Sequence, residues 1–278
     1  MSNRNDWHGR VARRQRGATV LRRFFVVLFA AFAAVTSTAR ADQSGLAYAY
    51  VLNDSHAADT FYSFDATKPF GRPEPVRPFG EFLLQRDGTF GSAGLPQTLN
   101  DNYGLLSGGL QFESRSGLRL FAQVGSTFAF GPHAPVGWSL GHDDFRGGAS
   151  LYRDWNGPLA AAGRPIGSLF LGATYFSRYK NGIGYASVER GREFGKDDHP
   201  FQVFGRVAIA EDTRGFFYNN MASLAVGVRL LPLGHLGPVA SLEETYNSFL
   251  GPLHPVAAAG YERFFFALRP SLSMGLRF

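Results

Sequence analysis

The sequence has 278 residues, with 28 lysines and arginines, 22 aspartates and glutamates, a formal net charge of +6 and no cysteine. Residues 1–41 hold eight of the arginines and one of the aspartates, so the chain from Asp42 onward carries 20 basic and 21 acidic residues, a net of −1. This balance excludes the basic surface that nucleic-acid binding requires, and the lack of cysteine excludes disulfides.

Residues 1–41 have the three-part layout of a secretory signal peptide. An arginine-rich start precedes the apolar run Phe24–Val35, and Ala39 and Ala41 then occupy the −3 and −1 positions of an A-x-A cleavage site. The apolar run is too short to cross a membrane as a helix. We therefore expect export, with cleavage after Ala41.

Residues 42–78 give a weaker pattern. The stretches 46–52 and 60–65 are plausible strands, whereas 68–78 is rich in proline and cannot be a central strand. The segment therefore has three interpretations, namely a periplasmic segment, a plug or a first hairpin.

From residue 79 to residue 278, apolar and polar residues alternate in segments of strand length separated by turn chemistry. The polar face is mostly small (Gly, Ser, Thr, Gln), unlike the charged outer face of a soluble sandwich. The pattern predicts an all-β fold, an antiparallel transmembrane β-barrel of ten to twelve strands with an apolar exterior. The predicted strands are 79–87, 103–113, 117–130, 145–155, 167–178, 182–194, 200–211, 222–231, 237–249 and 264–278.

The polar faces of these strands also carry charged residues, which we expect to line the lumen. In one interpretation they form a pore lining that selects anionic or sugar solutes. In the other they pair across a narrow barrel and plug it, since an unpaired buried charge is costly. The candidates are Arg119, Arg146, Arg206, Arg229, Glu243 and Arg269.

The last strand ends in a row of apolar residues in phase with the terminal Phe278. The row resembles the C-terminal assembly signal of bacterial outer-membrane barrels, and it comprises Leu272, Met274, Leu276 and Phe278. This resemblance implies an outer-membrane location, with membrane lipid and the barrel assembly machinery as partners.

A second resemblance covers residues 144–194, from "DFRGGASLYRDW" to "GIGYASVERGREF". This stretch looks like the C-terminal barrels of phage-adsorption and exopolysaccharide-secretion outer-membrane proteins. Those proteins usually carry a helical repeat array before the barrel, and no such repeat is seen here, so the resemblance concerns the barrel alone. It implies a polysaccharide or other envelope-export components as partners.

No catalytic motif is evident. Outer-membrane lipid hydrolases of the phospholipase and lipid A deacylase kinds place His and Ser two residues apart on one strand face, and no histidine after residue 41 has serine at that spacing. The stretches 141–145 and 196–199 set His beside two carboxylates, but we expect solvated loops there. We expect no enzyme, cofactor or metal. The first function expected is that of an accessory or pore-forming component of envelope export, with exopolysaccharide as a candidate cargo. The alternative is a structural or surface-receptor barrel, of the phage or adhesion type, with a closed lumen, and an outer-membrane lipid-modifying enzyme ranks third.

Overall fold

The computed structural model describes residues 45–55, 59–71, 75–87, 103–129, 142–158, 160, 162–195, 200–215, 220–232, 237–250 and 262–277. The predicted signal peptide and Phe278 lie outside these residues. The expectations about both stay predictions.

The described residues form twelve β-strands. They are β1 (Leu46–Asp54), β2 (Asp59–Pro69), β3 (Val76–Asp87), β4 (Tyr103–Glu113), β5 (Leu118–Ala129), β6 (His142–Asn156), β7 (Arg164–Phe176), β8 (Asn181–Phe194), β9 (Phe201–Asp212), β10 (Met221–Leu230), β11 (Val239–Phe249) and β12 (Phe264–Arg277). No helix in the described part of the chain is long and apolar enough to cross a membrane.

Each strand pairs antiparallel with its neighbours in sequence, and β1 pairs with β12 to close the barrel. The closing ladder runs from Leu46 opposite Arg277 to Leu52 opposite Ser271. Closure leaves no sheet edge unpaired, which is the condition for a β-sheet to lie in hydrocarbon.

The two faces of the barrel differ sharply in chemistry. Large apolar side chains project outward and stay exposed, among them Leu106 (64%), Val207 (60%) and Phe264 (68%). The opposite face, which lines the lumen, carries most of the buried polar and charged side chains. An apolar exterior around a polar interior is the arrangement of a transmembrane β-barrel, so the predicted fold is confirmed.

The strand bounds follow the sequence pattern closely, with some corrections. β4 has the predicted bounds, and β1 and β2 form the first hairpin of the barrel, one of the three interpretations of residues 42–78. β6 begins at His142, three residues before its predicted start. The predicted strands 167–178 and 182–194 place the turn at 179–181, which is wrong, because residues 177–180 make the turn with Lys180 at a φ of 48° and Asn181 already pairs with Phe176.

Pro270 lies inside β12, opposite Leu242, within the predicted strand 264–278. Both backbone groups of Leu268 hydrogen-bond Ser55, which follows β1. Because backbone groups alternate in direction along a strand, the ring nitrogen of Pro270 also points toward β1. Proline has no N–H, so it cannot donate a ladder hydrogen bond to β1 between the Leu52–Ser271 pair and the Ser55–Leu268 contact.

The barrel has two chemically distinct ends. We call the end where β1 begins and β12 ends the terminal rim, and the opposite end the loop rim. The connections at the terminal rim join strand ends there, and they are 70–75, 114–117, 157–163, 195–200 and 231–238. The connections that join strand ends at the loop rim are 55–58, 88–102, 130–141, 177–180, 213–220 and 250–263.

Candidate functional site in the barrel lumen

The ladder register fixes which charged residues face the lumen, because directly paired residues point to the same face. Among the inward residues whose side chains the structure describes, carboxylates outnumber arginines by ten to seven, so this described part of the lumen is net acidic. The arginines are Arg77, Arg119, Arg146, Arg164, Arg206, Arg229 and Arg269, and the carboxylates are Asp54, Asp65, Glu81, Glu113, Asp144, Asp154, Glu189, Glu193, Asp212 and Glu243.

Four of these residues form one connected group on the wall from β8 to β11, which we call the arginine–glutamate cluster: Glu189, Arg206, Arg229 and Glu243. Arg229 donates from two nitrogens to the two oxygens of Glu189. Arg206 donates to Glu243 and lies 4.0 Å from Glu189. Each arginine is therefore neutralised by a carboxylate on a nearby strand.

The other predicted arginines have partners beside them as well. Arg269 Nε donates to Asp54 across the β12–β1 closure at 2.8 Å. Arg119 donates to Gln111 at 3.0 Å, and its guanidinium lies 5.6 Å and 5.3 Å from the rings of Phe79 and Phe121. These contacts hold the side chains against the wall.

The fifth arginine of the predicted set, Arg146, belongs to a buried group at the loop rim. Arg146 donates to Asp144 at 2.8 Å and to the Tyr103 hydroxyl at 3.2 Å, and Asp144 is fully buried. The guanidinium of Arg178, in the 177–180 turn, lies 4.9 Å from the Tyr103 ring, and burial lowers the pKa of Arg178.

Packed side chains fill much of the loop-rim half of the lumen. They are both apolar and polar, and all are buried: Leu83, Tyr103, Leu105, Thr127, Asp144, Arg146, Asn181, Thr245 and Asn247. An eight-stranded barrel is just filled by side chains, and twelve strands leave more room. These buried side chains occupy part of the additional lumen volume that twelve strands enclose.

The terminal-rim half contains a polar cavity of about 390 Å³, which we call the terminal-rim cavity. Tyr152, Asp154 and Asn156, at the end of β6, are exposed there. Five strands contribute to its lining, which comprises Tyr152, Asp154, Asn156, Ile166, Gly167, Ser168, Glu189, Glu193, Gln202 and Arg229. Within the part of the chain that the structure describes, the lumen is therefore open and polar at this end.

All six residues predicted to line the lumen lie on the inner face. They do not form one site, because Arg119 and Arg146 lie on β5 and β6, Arg269 lies at the closure, and the other three belong to the arginine–glutamate cluster. Of the predicted assembly signal, Leu272 is exposed on the outer face, and Met274 and Leu276 share its row.

Two carboxylates that pair with the predicted arginines were absent from the predicted lumen lining. They are Glu189, the partner of Arg229, and Asp144, the partner of Arg146. Glu189 and Glu193 share a face of β8, but Arg190 and Arg192 on the outer face hide the alternation. Asp144 was assigned to a connection, although its period-2 spacing to Arg146 is a usable signal.

One further carboxylate, Glu244, does not follow the alternation of apolar outer and polar inner residues. Glu244 lies on the outer face, opposite Val226 on β10 and Leu268 on β12. It is exposed between Leu242 and Tyr246, and it makes no hydrogen bond or ion pair within the described residues. A charge in an apolar belt is unfavourable in lipid.

No group of three or more His, Cys, Asp or Glu side chains that could hold a metal ion occurs among the described residues. The stretch 196–199 lies outside them, as do Gly141 and the side chain of His142. The remaining histidines also lie outside, so the expectation that none is catalytic stays a prediction.

No protein-family model matches the sequence, and a search of curated proteins gives no match. Comparison with solved structures finds LpxR from Salmonella typhimurium, with TM-score 0.42, 11% identity and coverage of 83% of this chain and 99% of that one. It also finds a bacterial polysaccharide outer membrane secretin, with TM-score 0.37, 10% identity and coverage of 86% of this chain and 100% of that one. A third structure is the KdgM porin in complex with disordered oligogalacturonate, with TM-score 0.36, 6% identity and coverage of 83% of this chain and 98% of that one. These likenesses concern the barrel fold, which resembles that of outer-membrane barrels, and no residue role follows from them.

Proposed function

We propose that this protein is a pore-forming component of envelope export in the bacterial outer membrane, through which polar, saccharide-like solutes pass. Residues 1–41 direct export and are removed after Ala41, and the row from Leu272 to Phe278 directs assembly. The proposal assigns no catalytic step and no cofactor to the chain.

The observation that carries this proposal is the terminal-rim cavity. Outer-membrane barrels have short periplasmic turns and long outer loops. The longest connections here, 88–102, 130–141 and 250–263, join strand ends at the loop rim, so we assign the terminal rim to the periplasmic side. The open polar cavity then faces the compartment from which exported solutes enter.

The charge of the lumen determines which solutes are favoured. The interpretation in which arginines select anionic or sugar solutes loses its argument for anions, because most of the inward arginines lie against carboxylates and the described carboxylates are in excess. A net acidic lumen concentrates cations and repels anions. We therefore propose that neutral and cationic solutes pass in preference to anionic ones.

Conductance of the purified, folded protein in a planar bilayer tests this proposal. We expect small ion currents, because ions must pass the packed loop-rim half, and a reversal potential in a salt gradient that shows cation preference. Folded barrels that carry no current, or that prefer anions, would contradict the proposed function.

The alternative is a receptor barrel with a closed lumen, and the buried loop-rim group favours it. Arg146 donates hydrogen bonds to Asp144 and to the Tyr103 hydroxyl, and all three residues are buried at the end where a solute would leave. If the lumen is closed, the wild-type protein carries no current in planar bilayers. The double variant Asp144→Ala and Arg146→Ala then conducts ions, because it removes the two charged side chains of this group. Deletion of residues 251–260 would then abolish partner binding and leave the barrel intact.

A further inference from the structure

We infer that the terminal-rim cavity is a binding subsite for a solute that carries a protonated amine beside hydroxyl or amide groups. The inference rests on the proposed function in one respect, since the solute reaches the cavity through the periplasmic opening of the lumen.

The cavity is built on rigid elements. Its lining comes from β6 to β10, which are joined by continuous ladders, and two of its carboxylates are almost completely buried. Glu193 accepts a hydrogen bond from Gln202 at 2.8 Å and lies 3.5 Å from Arg164. Glu189 accepts hydrogen bonds from the two terminal nitrogens of Arg229. Preorganised polar groups of this kind lose little freedom when a ligand binds.

The charge of the lining is negative. Three carboxylates, Asp154, Glu189 and Glu193, face the cavity with a single arginine, Arg229. Arg229 is already engaged by Glu189, and its guanidinium lies 3.7 Å from the centre of the Phe204 ring. Arg229 therefore has little capacity left to hold an anion in the cavity.

Asp154 supplies the uncompensated charge. It is exposed in the cavity, and within the described residues it makes no hydrogen bond or ion pair. A carboxylate presents about four lone-pair sites, so a protonated amine can donate to it without displacing a protein partner. Charge-assisted hydrogen bonds of this type are stronger than neutral ones.

The remaining lining suits a hydroxylated or amide-bearing body. Tyr152 and Ser168 contribute hydroxyls and Asn156 contributes an amide, so donors and acceptors both face the ligand. The Tyr152 ring also offers an apolar face that attracts cations. The volume, about 390 Å³, falls in the lower part of the range of small-molecule pockets, about 300–1,000 Å³.

Amino sugars carry this chemistry, whereas linear polyamines such as spermidine carry protonated amines without hydroxyl or amide groups. A binding assay with the folded full chain in detergent, by isothermal titration calorimetry, separates them. The probes are an oligomer of glucosamine, spermidine, the N-acetylated form of the same oligomer and an oligomer of glucuronate.

We expect the glucosamine oligomer to bind, and the N-acetylated oligomer and the glucuronate oligomer to bind at least about tenfold more weakly, the ratio for one lost charged hydrogen bond. Asp154→Asn should weaken binding of the glucosamine oligomer by a similar factor. Spermidine has no hydroxyl or amide group, so weaker spermidine binding supports the inference. Spermidine binding as tight as that of the amino sugar would overturn it, because the amine alone would then be the recognised group.

Glu244→Gln is the matched control, because it removes the same charge from the outer face and should leave binding unchanged. Equal binding of the N-acetylated oligomer, or an Asp154→Asn variant that is folded and binds like the wild type, would overturn the inference. The outcome is separable from that for the proposed function. A protein that binds the probe but carries no current would disprove the pore and leave the subsite standing, and the reverse result would disprove only the subsite.

Discussion

Arg206 on β9 donates a hydrogen bond to Glu243 on β11, and the contact passes over the strand between them. Gly227 occupies the crossing point on β10, paired with Phe204 on one side and Glu243 on the other. A Cβ atom at Gly227 would lie 2.8 Å from the Leu242 carbonyl oxygen and 2.9 Å from Cζ of Phe204. The glycine thus leaves the space in which the arginine–glutamate cluster forms.

We expect Gly227→Ala to lower the free energy of unfolding by about 1–3 kcal/mol, the usual effect of overpacking a well-packed site. The measurement is urea unfolding of the barrel in lipid vesicles. Gly205→Ala is the control, because a Cβ there would meet only the Ala225 carbonyl oxygen, at an ordinary 3.7 Å. Equal stability of the two variants would show that Gly227 has no such role.

Glu243 and Glu244 are adjacent in sequence and lie on opposite faces of β11. Glu243→Gln removes the partner of Arg206 and makes the lumen less acidic, so we expect the cation preference to fall. Glu244→Gln changes the same charge on the outer face and should leave the preference unchanged. Reversal potentials in a salt gradient measure both, and an equal shift in the two variants would mean that the lumen does not set selectivity.

Glu244 itself should destabilise the barrel in lipid. Its neighbours across the ladder are Val226 and Leu268, and charged residues on the lipid face cost free energy according to their depth. We expect Glu244→Leu to raise the free energy of unfolding in vesicles by about 1–2 kcal/mol. A decrease would indicate instead that Glu244 contacts another protein in the membrane.

The buried pair at the loop rim should be costly to break. Asp144→Asn leaves Arg146 with no carboxylate among its hydrogen-bond partners, and removing one partner of a buried pair costs about 3–5 kcal/mol. Asp143→Asn, on the exposed outer face of the same strand, is the control and should cost little. The urea midpoints of unfolding of the two variants measure the difference. A small loss of stability in Asp144→Asn would show that water reaches the Asp144–Arg146 pair.

The predicted assembly signal makes a separate prediction. Deletion of Phe278 should reduce the amount of barrel found in the outer membrane of cells, while refolding of the purified chain into detergent should proceed as in the wild type. Quantitative blotting of membrane fractions and heat-modifiability on gels measure the two steps. Unchanged membrane levels would argue against the signal.

Much of the inner and outer faces could be predicted from the sequence because the side-chain period of a strand is two residues. Arg229 and Glu243 were therefore placed on the polar face without any structure. β8 was the least clear strand, since Arg190 and Arg192 lie on its outer face and hide the alternation of Glu189 and Glu193. Glu244 shows the same weakness, because one exception on an apolar row is easily passed over.

The sequence by itself determined the barrel class, the two faces and most strand bounds, since all three depend on local period-2 patterning. Only the tertiary structure decided which charges meet. Arg206 reaches Glu189 and Glu243, which lie on different strands and far apart in sequence, and register alone brings them together. The excess of inward carboxylates among the described side chains and the terminal-rim cavity follow from that register, and the proposed preference for cations rests on both.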